Sequence, residues 1–393
     1  MSDITPFKID VPDAAIKKLK DKLELADLPD EVEFSNDWSY GTPRDDIQRL
    51  AKYWKDGYDW RAHEAKLNAQ LPQFKTTVSV EGFGDLNIHF VHKKSSKPGS
   101  IPLLFCHGWP GHFMEVAKIL PLLTDNKEGL SFDVVAPSLP NFGFSDGVKK
   151  RGFGIPQYAE TLHKVMIKLG YNKYVTQGGD WGYVITRLIG VQYPSSCIAS
   201  HVNFVRAKKP PEFLKSPLLY IQHKITPYTD FEKAFRERSE WFQTEGIGYN
   251  VEQSTRPSTI GIALTDPVAL LAWIYEKLHD WTDNYPWTDD EILTWISIYQ
   301  FSTAGAAASV RIYYESKHAE LERGEKAFGY VPKVQLGLSY FPKDLVLPPR
   351  TWGRALGPVV FESVHGDGGH FAAHERPEVL VDDLRRMFEK VKF

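Results

Sequence analysis

The chain has 393 residues, 42% of them hydrophobic and 13% aromatic, and a formal net charge of −3. That length suits one large domain with an insertion, or two domains, and the apolar content excludes a disordered chain. The near-neutral balance gives no electrostatic reason to expect nucleic acid or an anionic membrane as partner.

Residues 1–75 read as a polar-to-amphipathic lead. Positions 11–25 have helical spacing, and Thr42-Pro43-Arg44-Asp45 reads as the start of a second helix running to Trp54. Aromatic patches at 38–40 and 53–60 predict that this lead packs on the main body. Runs of strand length follow at 76–80, 86–91, 102–106, 132–136, 174–177, 198–205, 334–339 and 359–364. The first two flank a turn and suggest a hairpin, and several later ones are short, nearly continuous apolar runs of the kind covered on both faces. Helical patterns at 113–123, 157–169, 183–192 and 377–391 alternate with them. This alternation predicts an α/β fold with a mainly parallel, eight-stranded sheet, its core divided between 76–205 and 331–393. Between them, 206–330 shows helical spacing rich in Tyr, Trp and Phe and reads as an inserted helical lid.

Cys106 and Cys197 lie in or beside apolar runs and read as buried small hydrophobes, with no disulfide framework or zinc spacing. The N-terminus lacks the apolar core of a signal peptide, and no run approaches the ~20 apolar residues of a membrane span. The expectation is a soluble, cytoplasmic protein without a membrane anchor.

Ligands of open α/β sheets bind beyond the carboxyl ends of the strands. Four loops fall there: His107-Gly108-Trp109-Pro110-Gly111, Gly178-Gly179-Asp180-Trp181-Gly182, Tyr340-Phe341-Pro342-Lys343-Asp344 and His365-Gly366-Asp367-Gly368-Gly369-His370. Singly each has an ordinary explanation, since Gly-Gly-Asp is usually a turn and Asp344 could cap a helix. Together, the last three give a nucleophile, an acid and a histidine in the chain order of an α/β-hydrolase triad. Asn203, in the sixth run, sits near where some relatives of this fold with an Asp nucleophile place the acid, but an amide cannot carry the charge.

The motifs GGDWG around Asp180, HGWPG at 107–111, PNFGFSDG at 140–147 and GGHFAAHERPEVL at 368–380 resemble those of epoxide hydrolases of the α/β-hydrolase fold, in the microsomal-type and soluble fungal branch. The lead, with PRDDIQRLAKYW at 43–54 and YDWRAHEAKLNAQLPQF at 58–74, is similar to that branch's N-terminal region. The resemblance implies conversion of an epoxide and water to a vicinal diol. A carboxylate at the elbow suits this reaction, because it can displace oxygen from an sp³ carbon and form an alkyl ester. Asp180 would be the nucleophile, His370 the base that activates water on the ester, and Asp344 its orienting acid. Backbone N–H groups of Trp109 and Trp181 would form the oxyanion hole, next to a Trp109–Pro110 bond that family members often hold cis. Tyr249 and Tyr313 resemble the two lid tyrosines that assist ring opening, with Tyr314 the alternative to Tyr313. No metal or organic cofactor is required. The implied substrate is a small apolar epoxide, aryl or long-chain, and a homodimer through lead and lid is an expectation by family analogy.

Two rivals remain at this level. A haloalkane dehalogenase shares the Asp nucleophile and could use the Trp181 side chain to hold halide. A catalytically silent binding protein of the same fold is the other.

Overall fold

The computed structural model describes residues 4–125, 129–319 and 321–392. Its strands are β1 (Thr5–Phe7), β2 (Gln73–Val80), β3 (Gly84–Lys93), β4 (Ile101–Cys106), β5 (Phe132–Pro137), β6 (Tyr174–Gly178), β7 (Cys197–Val202), β8 (Gln335–Tyr340) and β9 (Val359–Val364). They form one sheet in the order β1-β2-β3-β5-β4-β6-β7-β8-β9. The six strands from β5 to β9 run parallel, while β1, β2 and β3 join antiparallel at one edge. The short edge strand β1 is additional to the eight marked by the sequence. Three residues are too few for a period-2 signal, and its pairing of Thr5 with Lys75 and Phe7 with Gln73 is a tertiary contact.

The central strands β4, β5 and β6 are buried along almost their whole length, as strands covered on both faces are, and β6 buries Thr176 and Gln177 along with its apolar residues. One expected helix differs. Residues 113–123 form a short 3₁₀ turn, Phe113–Val116, and a separate helix, Ile119–Thr124. Pro121 fits the first turn of a new helix, where its missing N–H has no intrahelical partner, better than the interior of a continuous one.

Between β7 and β8 the chain is helical and holds no strand among the described residues. Two of its helices bear directly on the site. Pro267–Asp280 starts at Asp266, whose carboxylate accepts from the N–H groups of Val268 and Ala269. Asp289–Gln300 starts with a reciprocal cap between Thr288 and Glu291. The N-terminal helices pack on both. Tyr53 Oη donates to Asp290 at 2.9 Å, Tyr58 Oη lies 2.9 Å from Thr294 Oγ1, and the Trp38 ring stacks on His279 at 3.5 Å. Trp54, 1% exposed, anchors the lead in the common core. No single described helix is long and apolar enough to cross a membrane.

Candidate active site

Strand β6 ends at Gly178 and helix Trp181–Gln192 begins three residues later, so the chain reverses within Gly179-Asp180. Asp180 takes up the strain, with φ +50° and ψ −125°. Such a conformation costs an ordinary residue about 1–3 kcal/mol and persists where the surroundings over-determine it. Two glycines allow the tight approach. A methyl group on Gly182 would sit 2.0 Å from the Cys106 carbonyl oxygen, and one on Gly108 would sit 2.4 Å from Asp180 Cβ. The turn therefore presses Asp180 against the loop after β4.

That loop donates to it. The Trp109 N–H reaches Asp180 Oδ1 at 2.8 Å, and the peptide between Trp109 and Pro110 is cis. The Trp181 N–H is the first of the following helix, at its positive end. A helix of the insertion holds the loop from the other side. Trp295 Nε1 donates to the Pro110 carbonyl and Tyr299 Oη to the Gly111 carbonyl, each at 2.6 Å.

The histidine loop arrives after β9. His370 Nε2 lies 3.5 Å from Asp180 Oδ2, and Nδ1 lies 2.7 Å from Asp344 Oδ1. Asp344 is wholly buried and also accepts the Leu345 N–H at 2.8 Å. The His370 backbone N–H donates to the Trp281 carbonyl at 2.8 Å, tying His370 to the end of the insertion's Pro267–Asp280 helix. Burial opposes a charged imidazole, but the adjoining Asp344 and Asp180 carboxylates outweigh it and push His370 up to about 10.

The roof over Asp180 is aromatic. Tyr249 stacks on Trp109 at 5.1 Å, and Tyr313 stands edge-on to Trp181 at 4.9 Å and to Tyr249 at 5.8 Å. Burial, followed by nearby negative charge including that of Asp180, raises both phenols, so they remain protonated donors. Tyr313 Oη is buried among the Trp181 and Tyr249 side chains, whose polar groups lie close enough to bear on its acidity. The neighbouring Tyr314 instead stacks on His318 at 4.0 Å, outside this chamber.

Asn203 accepts from Gln177 Nε2 at 2.6 Å and leaves His370 to Asp344. One residue escaped the sequence reading. Glu115 lines a small cavity with Asp180, His370 and Gln177, and its burial pushes the carboxyl up to about 8. A glutamate one turn beyond HGWPG was the available signal, but nothing in the sequence says which way that turn faces.

Among families, the model described as "Epoxide hydrolase N terminus" matches residues 4–116, and that of the alpha/beta hydrolase fold matches 101–216. A putative epoxide hydrolase of Stigmatella aurantiaca is 37% identical over 99% of this chain and 86% of its own. Epoxide hydrolase 1 of Sus scrofa is 34% identical over 98% of this chain and 88% of its own. The structure of Aspergillus niger epoxide hydrolase superposes with a TM-score of 0.85 at 35% identity, covering 99% of this chain and 96% of that one. Juvenile hormone epoxide hydrolase of Bombyx mori gives a TM-score of 0.87 at 28% identity, with 99% and 95% covered. An acid at the elbow, a buried Asp–His pair and a tyrosine roof thus lie in a chain that, across nearly its whole length, belongs to the epoxide hydrolases of the α/β-hydrolase fold, in their fungal and microsomal-type branch.

Proposed function

We propose that Asp180 is the nucleophile of the epoxide hydrolase reaction, with Tyr249 and Tyr313 as proton donors to the opening ring. The Trp109 N–H holds Oδ1, which leaves Oδ2 to attack an epoxide carbon. A carbon–oxygen bond forms as the ring carbon–oxygen bond breaks, and the leaving oxygen takes a proton from a tyrosine hydroxyl. The product of this half-reaction is an ester of Asp180. Water then attacks the ester carbonyl while His370, steadied by Asp344, accepts its proton. The Trp109 and Trp181 N–H groups face the resulting oxyanion, where each such donor is worth roughly 2.7–4 kcal/mol. Collapse releases the diol, restores the carboxylate and leaves His370 protonated, as in the free enzyme.

The observation that carries this reading is the alignment Asp344–His370–Asp180 under two buried phenols. The charge balance also fits the order of steps. In the free enzyme two carboxylates hold His370 protonated. Esterification neutralises Asp180 and removes one of them, so His370 can pass its proton to the tyrosinate left by ring opening and stands neutral when water attacks. The chamber walls, including Phe204, Phe242, Ile247 and Leu345, suit an apolar epoxide.

A single turnover in H₂¹⁸O, with enzyme in excess over an aryl epoxide, tests the ester. The first diol should carry oxygen from the protein, with ¹⁸O appearing in the peptide that contains Asp180. A first diol labelled from solvent would mean direct attack by water and would end the proposal. Asp180→Ala should give no diol.

A further inference from the structure

Asp180 borders two cavities. One, of about 100 Å³, carries the aromatic roof, with Trp181, Tyr249 and Tyr313 in its walls. The other, of about 10 Å³, is lined by Asp180, His370, Glu115, Gln177 and Asn203, and by none of those three aromatic residues. Its size is about what one water molecule needs, provided that about two to four polar groups meet it. Gln177, on β6, is 1% exposed, and its Nε2 donates to Asn203 Oδ1 at 2.6 Å. That bond commits the nitrogen, and Oε1 has no hydrogen-bond partner among the described residues. Buried acceptors in folded proteins are met by protein or by ordered water, and here the cavity supplies the room. Glu115 comes from the turn Phe113–Val116. A side chain at Gly111 would collide with its Oε1, so the glycine that ends HGWPG is what admits the carboxyl. Burial pushes Glu115 up to about 8, so at neutral pH it carries its proton and sets no second negative charge beside Asp180.

We propose that Glu115 and Gln177 hold the water that hydrolyses the Asp180 ester. This rests on the role of Asp180 proposed above. The alkyl group of the ester occupies the chamber under the tyrosines, and the water waits in the cavity that the ester shares with His370. Its oxygen attacks Cγ of Asp180 while one proton passes to His370 Nε2. The other proton, donated to Gln177 Oε1 until then, goes to the diol oxygen as the ester carbon–oxygen bond breaks. A protonated Glu115 fixes the same water by a further hydrogen bond and leaves the developing oxyanion unopposed.

The test is rapid-quench kinetics of the full chain with styrene oxide, reading ester formation and ester hydrolysis separately by intact-protein mass spectrometry. Glu115→Leu and Gln177→Met should each form the ester within about threefold of the wild-type rate and hydrolyse it about 10²-fold more slowly. Glu115→Gln, which still donates and accepts, should keep hydrolysis within about tenfold of wild type. A role confined to packing the loop would slow ester formation as well, because the Trp109 N–H that holds Asp180 belongs to that loop. Normal ester formation also shows that a variant is folded, and the two positions lie on different elements, so misfolding at one leaves the other to decide. Hydrolysis at the wild-type rate in a folded Glu115→Leu or Gln177→Met enzyme, or both steps slowed alike, would overturn the proposal and leave the ester intact as an intermediate. No ester in the wild-type enzyme would instead remove the Asp180 reading and this proposal with it.

Discussion

Asp344→Asn separates the two halves of the proposed reaction. The amide keeps the shape of a side chain that is 0% exposed and lies 2.7 Å from His370 Nδ1, but removes its charge. Breaking a buried pair by changing one partner costs about 3–5 kcal/mol, which is roughly 10²- to 10⁴-fold in a rate that depends on the pair. Only the hydrolytic half depends on it, because ring opening needs the Asp180 carboxylate and the phenols, both untouched. The ester should therefore form near its normal rate and persist. Rapid-quench sampling followed by intact-protein mass spectrometry should show about one equivalent of protein heavier by the mass of the epoxide. Steady-state turnover should fall with the hydrolysis rate. An Asp344→Asn enzyme that loses turnover to this extent with no adduct, and with ester formation slowed as much as hydrolysis, would refute this division of labour.

Other outcomes follow from the same geometry. Tyr313→Phe and Tyr249→Phe should each slow ester formation by about 10²-fold, as loss of a positioned proton donor does, and leave ester hydrolysis nearly unchanged in the same quench assay. Trp295→Phe removes the 2.6 Å bond to the Pro110 carbonyl and leaves that carbonyl unmet, which should cost about 1–3 kcal/mol in urea unfolding and lower kcat through the oxyanion loop. His370 is raised from 6.5 to about 10 in the folded protein, so its contribution to stability is fully present below about pH 6.5 and fades as pH rises through 10. Urea midpoints of the wild-type protein should show that fall between those values, and His370→Gln should flatten it. Glu115 is raised from 4.5 to about 8, so the folded state keeps a proton that the unfolded chain releases. Stability should decline from pH 4.5 through 8, and Glu115→Gln should remove that part of the slope.

What the sequence made legible was what local chemistry determines. Gly178, Gly179 and Gly182 around Asp180 announce a turn too tight for side chains, and the 2.0 Å clearance at Gly182 is the reason they are there. Nearly continuous apolar runs located β4 and β5, because strands covered on both faces show little polar alternation, whereas β6 also buries Thr176 and Gln177. Contacts between segments distant in sequence were not legible. The pairing of β1 with β2, the grip of Trp295 on the HGWPG loop and the facing of Glu115 toward Asp180 each depend on where another element lies. The choice between Tyr313 and Tyr314 is of the same kind. Adjacent residues on a helix point about 100° apart, so one of the pair must face away from Asp180, and only the packing of helix Arg311–His318 decides which. It turns Tyr313 to Trp181 and Tyr314 to His318.

The lid connects these long-range contacts to the chemistry. The Trp281 carbonyl at the end of one lid helix holds the His370 N–H, and Trp295 on the next holds the oxyanion loop. The N-terminal lead clamps both helices from outside through Trp38, Tyr53 and Tyr58. His370 and the loop at 107–111 therefore share one support although they follow different strands. A loosened lead would displace both together, whereas a change in the sheet beneath Asp180 would act first on Asp180 and on the Trp109 N–H it accepts from. In the proposed mechanism, that asymmetry would give the long lead a part in holding His370 at its distance from Asp180, beyond covering apolar surface.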